Sequence, residues 1–400
     1  MLALCLAIPV ASALLLAACH RRPNLREAVS LAGAAALFAG VAALAGEVLA
    51  GARPRLVLGE IFPGLALAFE LEPLGLLFAL VASGLWFVSV VYSIGYLRGN
   101  AEPHQTRFYA CFALAIASAI GVAFAGNLLT LYLFYEALTL VTWPLVTHHG
   151  DAAARRGGRT YLALLLASSM LFFLPAMAIT WWVGGTLDFT PGGILAGKVS
   201  GGAAAGLLAL YAFGIGKAAL MPLHRWLPAA MVAPTPVSAL LHAVAVVKAG
   251  VFSIVKVVLY VFGLSFEPAA FAWLPWVAGF TILAASVVAL RADNLKRRLA
   301  YSTVSQLSYV VLAAAILAPL SIAGAVLHIA AHAFGKITLF FAAGAVYTAA
   351  HKTEVSQLDG LGRRMPWTFA AFAVGALSMI GLPPAAGFVS KWYMVSGALA

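Results

Sequence analysis

Residues Gly214–Gly250 read GIGKAALMPLHRWLPAAMVAPTPVSALLHAVAVVKAG. This apolar run carries Lys217, His224, Arg225, His242 and Lys248, punctuated by Pro222, Pro228, Pro234 and Pro236. Ionisable side chains and helix breakers are costly at membrane depth, so inside a span they mark functional sites. Whether the stretch lies in a membrane is decided by the chain around it.

Of the 400 residues, 64% are hydrophobic and 9% charged, and the mean hydropathy is +1.01. A soluble domain carries about 25% charge. So much apolar surface cannot be hidden in one aqueous core, and the fold class expected is an all-α polytopic membrane protein. The net charge of +11 would suggest nucleic acid for a soluble chain. Here the partner expected is the lipid bilayer, with no nucleic acid, and the placement of the charges matters more than their total. Cys5, Cys19 and Cys111 form no CxxC pair and no metal spacing, so neither metal nor cofactor is expected. Gly214-Ile215-Gly216 has no strand before it to make a dinucleotide fingerprint. No Walker motif, nucleophile elbow or haem attachment site is present, and no redox or hydrolytic chemistry is expected of this chain.

A span needs about 20 apolar residues. That rule places helices near 2–19, 28–50, 73–96, 107–125, 127–147, 160–183, 203–223 (or to about 231), 236–262, 271–290, 300–319, 321–349 and 367–395. The first resembles a signal h-region with a lipoprotein-like Leu16-Ala17-Ala18-Cys19 box, but no basic segment precedes it, so it reads as a first transmembrane helix. Residues 52–71 are too polar and too Pro/Gly-marked to span and alternate like an extracytoplasmic hairpin. Sixteen of the 24 basic residues fall in loops after odd-numbered helices, against Arg53, Arg55 and Lys198 after even-numbered ones. This bias puts the odd loops in the cytoplasm and the N-terminus outside.

The remaining five basic residues, Lys217, Lys248, Lys256, Lys336 and Lys391, lie inside spans and are all lysines. A desolvated lysine can give up its proton and an arginine cannot. Glu136, flanked by apolar residues in the fifth helix, is the natural partner of Lys217, either as a static ion pair or as a group tuning its proton affinity. Pro222 is expected to break the seventh helix just after Lys217. Gly250 permits close approach beside Lys248. Lys256, two turns further out, is expected to snorkel to the interface; it and His242 are secondary candidates. His328, His332 and Lys336, spaced i, i+4, i+8, share one face about 6 Å apart per step and suit a proton relay. HxxxH also suits zinc, but no third ligand is evident. Pro383 and Pro384 break the twelfth helix before Lys391, repeating the arrangement at Lys217. The two breaks, five helices apart, suggest two five-helix units, the second inverted relative to the first.

These residues resemble a known family. The opening stretch is similar to the signature of the antiporter-like subunits shared by respiratory complex I, membrane-bound hydrogenases and multisubunit Mrp cation/proton antiporters. The likeness extends to LGLLFALVAS and YSIGYL within 74–97, LYLFYEALTL (131–140), DNLKRRLAYSTVSQLSY (293–309), the His/Lys helix, and LDGLGRRMP with GLPPAAGFVSKW within 358–392. The resemblance implies a fourteen-helix core with inverted five-helix repeats and broken helices 7 and 12. About twelve of those helices lie in this chain, so a C-terminally truncated member is expected. It divides into residues 1–106, 107–262 and 263–400. The resemblance also implies a proton path through Glu136, Lys217, Lys248 and Lys391, with Lys248 and Lys391 most like the D-type Mrp subunit. The expected setting is the inner membrane of a prokaryote. The expected partners are other membrane subunits of a hetero-oligomeric complex, protons, and Na+ or K+. The alternative is a proton-pumping subunit of a redox-driven complex.

Overall fold

A computed structural model describes all 400 residues. Eight helices are long and apolar enough to cross a bilayer: α2 (Pro23–Leu49), α3 (Pro73–Gly99), α4 (Gln105–Ala123), α5 (Leu128–Val146), α6 (Ala152–Gly184), α8 (Thr235–Phe262), α9 (Pro268–Arg291) and α11 (Pro319–Ala350). Further helices complete the bundle: α1 (Leu2–Ala18), α7 (Gly201–Gly214), the more polar α10 (Leu295–Ala315), α12 (Pro366–Ile380) and α13 (Ala386–Leu399). In lipid each backbone group must be satisfied within the protein, which leaves helices as the economical spanning element for so apolar a chain.

Polar caps start the helices outside the apolar runs. Asp151 and Asn294 accept from the N–H groups of Ala154 (2.6 Å) and Arg297 (3.0 Å). These caps start α6 and α10 several residues before hydropathy alone places them. Residues 52–71 do form a hairpin, β1 (Arg55–Phe62) with β2 (Leu65–Glu70), antiparallel from Arg55↔Glu70 to Phe62↔Leu65 with two register shifts. It is stitched to the bundle where α4 turns into α5: Glu70 N–H donates to Phe124 O (2.7 Å) and Gly126 N–H to Ala68 O (2.9 Å).

α8 is the axis of the molecule. Its residues from Thr235 to Val258 are buried on every side. A helix apolar and buried all round belongs at the centre of a bundle. It packs against α11, α10, α5 and the segment after α7, so whatever α8 carries meets those neighbours away from solvent.

Candidate functional site

The break after α7 is assembled from three directions. α7 ends at Gly214, a 3-10 turn covers Gly216–Ala218, and Ala219 is left-handed at φ 57. Lys217 therefore lies within the break. The expectation that helix continues through it to Pro222 is corrected: the helix ends at Gly214, before Lys217 is reached. The backbone groups freed there find side chains. Lys217 N–H donates to the Tyr135 hydroxyl (3.0 Å), the Trp226 indole donates to Gly216 O (2.9 Å), and Met221 N–H donates to Thr281 Oγ1 (3.3 Å). Gly250 of α8 abuts the turn; a Cβ there would sit 2.3 Å from Lys217 C.

The Lys217 ammonium is fully buried. It donates to Tyr135 O (2.7 Å) and Thr139 Oγ1 (2.6 Å) and lies 3.2 Å from the centroid of the Tyr135 ring. A direct Glu136–Lys217 ion pair does not form. Tyr135 and Thr139 share the face of α5 that meets the break, whereas Glu136 is rotated about 100° from Tyr135. Both Glu136 carboxylate oxygens are buried without a hydrogen-bond partner.

Lys248, also fully buried, reaches across from α8 to α11, where Nζ and His332 Nδ1 are directly hydrogen-bonded. One turn along α11, His328 lies 6.1 Å from His332 between ring centroids, matching the expected step. His328 joins two further helices: Nδ1 meets Ser390 Oγ of α13 (2.8 Å), and Nε2 meets Gln306 Oε1 of α10 (3.1 Å). In the other direction Lys336 donates to Ser302 Oγ (2.8 Å) and Leu299 O (3.2 Å) of α10. His242 sits in a π-turn, Leu240–Val244, with its ring 4.8 Å from Phe340 and neither nitrogen partnered. Such turns often mark functional positions.

The second break separates α12 from α13 at Gly381–Ala385, around Pro383 and Pro384. Lys391 reaches back to the carbonyls released by the end of α12, donating to Met379 O (2.7 Å) and Ile380 O (3.2 Å). Its ammonium lies 5.1 Å from the Tyr309 ring. The geometry thus brings Lys248, His332, His328 and Ser390 together in sequence, with Lys391 beside Ser390.

Lys256 does not snorkel. It is 1% exposed, with Nζ 2.9 Å from Glu72 Oε1 and donating to Ala125 O (2.7 Å). The hairpin and the 124–126 turn close over the end of α8 that hydropathy would leave at the interface.

Gln306, Ser302, Ser390, Tyr135, Thr139 and Glu72 contact these groups, yet hydropathy and charge placement do not single them out. A signal for the first two exists: α10 carries Ser302, Thr303, Ser305, Gln306 and Ser308, a polar density out of place in an apolar chain.

A family model described as NADH:quinone oxidoreductase/Mrp antiporter, TM, matches residues 125–400. NADH-quinone oxidoreductase subunit N of Desulforudis audaxviator is 34% identical over 94% of this chain and 75% of its own length. This chain spans about half the length of other curated relatives it matches. Among solved structures, the Mrp complex from Dietzia sp. DQ12-45-1b aligns with a TM-score of 0.86 at 30% identity, covering 99% of this chain and 43% of that one. The membrane-bound sulfane sulfur reductase, an archaeal respiratory membrane complex, aligns at 0.88 and 25% identity, covering 99% and 81%.

Proposed function

This chain belongs to the NADH:quinone oxidoreductase/Mrp antiporter transmembrane family, and on that premise we propose that it is the proton-translocating subunit of a multisubunit monovalent cation/proton antiporter. Twelve spans are proposed: α1 to α6, α7 with its broken continuation, α8 to α11, and α12 with α13. Residues 1–106 precede two five-helix units, 107–262 and an incomplete 263–400, the second inverted. The two breaks, at Gly214 and Gly381, support that division. The excess of basic residues in odd loops supports an N-terminus outside a prokaryotic inner membrane.

The observation that carries the function is the Lys248–His332 hydrogen bond, a buried contact between two ionisable side chains on helices of the two proposed units. Protons step between Lys217, Lys248, His332, His328 and Lys391, with Lys336 and His242 beside the line and Glu136 biasing Lys217 through space. Like charges on successive stops repel, so protonation of one disfavours the next and passes the event sideways. In everted vesicles holding the whole complex, Lys248→Ala and His332→Ala should each lower Na+- or K+-induced dequenching of a ΔpH dye at least about tenfold while assembly is kept. That loss corresponds to about 1.4 kcal/mol in the limiting step. Wild-type rates in both variants would sink the relay.

A second reading is a pump subunit of a redox-driven complex, favoured by the match of 94% of this chain to 75% of a NADH-quinone oxidoreductase subunit. The same vesicles separate the two: a ΔpH raised by NADH or hydrogen, and unresponsive to a cation pulse, selects the redox pump.

A further inference from the structure

Beneath the hairpin lies a cavity of about 110 Å³ lined by Arg53, Glu70, Glu72, Lys256, Tyr260 and Phe189, among others. The relay does not use it. We propose that this chamber is a binding site for a monovalent alkali cation, at which the Lys256 ammonium is the resident, tethered cation.

The argument starts from what surrounds Nζ. A carboxylate oxygen of Glu72 lies at 2.9 Å and the Ala125 carbonyl at 2.7 Å. The rings of Phe189, Phe252 and Tyr260 have centroids at 4.7, 5.4 and 5.9 Å. Oxygen ligands and aromatic faces are the groups that hold a hard or weakly hydrated cation. The carboxylate is fixed in place. Glu72 caps α3, its Oε2 accepting from Gly75 N–H at 2.8 Å, so Oε1 is left facing the chamber with the ammonium as its sole partner.

Burial makes the charge balance strict. Glu72 is 4% exposed and Lys256 1%, and a buried charge that loses its partner costs several kcal/mol. When a proton leaves Lys256 Nζ for water in the chamber, one cation entering beside Glu72 restores neutrality, and the amine remains as a neutral neighbour. One proton leaves and one cation enters, so the charge of the chamber is unchanged. One inward carboxylate, with Arg53 at the rim, suits a single positive charge better than a divalent ion. Glu70, at the end of β2, is the other acidic group on the lining. Arg53 and Pro191 are exposed at the rim, which opens the chamber to the even-loop face. The volume admits a cation with waters, since one water needs at least about 10–15 Å³. Lys256 lies eight residues beyond Lys248 on α8, about 12 Å along the axis. The cation chemistry stands on the chamber itself; its coupling to proton transfer rests on the function proposed above.

The test is equilibrium binding of radioactive Rb+ and Na+ to the purified whole complex, repeated at stepwise more alkaline pH. Competition between the proton and the ion for one site tightens the apparent affinity by up to about tenfold per pH unit. Lys256→Ala should bind at neutral pH without pH dependence, and Glu72→Gln should abolish binding. Binding of neither ion to Lys256→Ala, or binding indifferent to Glu72→Gln, overturns the proposal. If Lys256→Ala does not assemble, the wild-type series decides, and flat binding across pH overturns it. Wild-type ΔpH transport in Lys248→Ala and His332→Ala, with pH-dependent binding intact, would sink the relay and leave this site standing. Intact transport with no binding would sink the site alone.

Discussion

Gly250→Ala tests whether the contact between α8 and the Lys217 turn holds the first break in shape. The new Cβ would lie 2.3 Å from Lys217 C, 2.4 Å from Ala218 N and 2.7 Å from Lys217 O, where ordinary contact begins at 3.4 Å. The overlap of about 1 Å is against backbone, which cannot rotate away as a side chain would. Overpacking of this kind costs about 1–3 kcal/mol, offset by about 0.5–1 kcal/mol from replacing glycine in a helix. A net loss of about 0.5–2 kcal/mol is expected. The turn must move to relieve the clash, and a shift of about 1 Å would carry the Lys217 ammonium out of hydrogen-bond range of Tyr135 O or Thr139 Oγ1, now at 2.7 and 2.6 Å. A hydrogen bond to a charged group contributes about 1.5–3 kcal/mol. Cation-driven ΔpH change should therefore slow at least about tenfold, beyond what the fall in melting temperature explains. Gly46→Ala is the control, because a Cβ there meets nothing within 4 Å, and its melting temperature should hold or rise. A Gly250→Ala complex with wild-type melting and wild-type transport would refute the reasoning.

Two further outcomes follow from the geometry. Trp226→Phe removes the indole donor of Gly216 O (2.9 Å) and leaves that carbonyl with Ala219 N–H alone (3.0 Å). A loss of about 0.5–1.5 kcal/mol is expected, read as a lower melting temperature. At the odd-loop face, His149 lies 3.3 Å from Glu102, whose hydrogen bond raises the imidazole above the ordinary 6.5. The stabilisation is complete below the unfolded value and lost as pH climbs through the raised folded one. Hydrogen exchange in residues 100–105 and 147–151 should accelerate beyond its intrinsic rate from about pH 6.5 upward, and Glu102→Gln should remove the excess. Identical acceleration in the variant would show that the pair does not hold these loops.

The helices and the hairpin were readable because hydropathy and alternation are local properties, and each is decided within about 20 residues. The family likewise showed in local motifs. What escaped depends on rotation and on distant segments. The Glu136–Lys217 pair fits by depth, yet Lys217 turns to the carbonyl of Tyr135, one residue and about 100° away. Sequence depth along two spans says nothing about which faces meet. Distance from the midplane puts Lys256 at the interface, but a hairpin nearly two hundred residues earlier in the chain covers it. The spacing of His328, His332 and Lys336 predicted their common helix and the 6.1 Å step. It could not say that His332 meets α8, His328 both α10 and α13, and Lys336 α10, because those partners are distant in sequence.

The first break also constrains how the protein is made. Its backbone is completed by a hydroxyl 82 residues earlier, on Tyr135, and by another 60 residues later, on Thr281. The earlier partner is already in the membrane when Lys217 leaves the ribosome; the later one has not been synthesised. Until α9 emerges, Met221 N–H must find water or another protein for company, since lipid offers no acceptor. The segment after α7 therefore cannot reach its final form on the order in which it is translated. A nascent chain stalled before Thr281 should leave Ala219 and Leu220 open to water-soluble labels that the finished bundle, where both are buried, excludes.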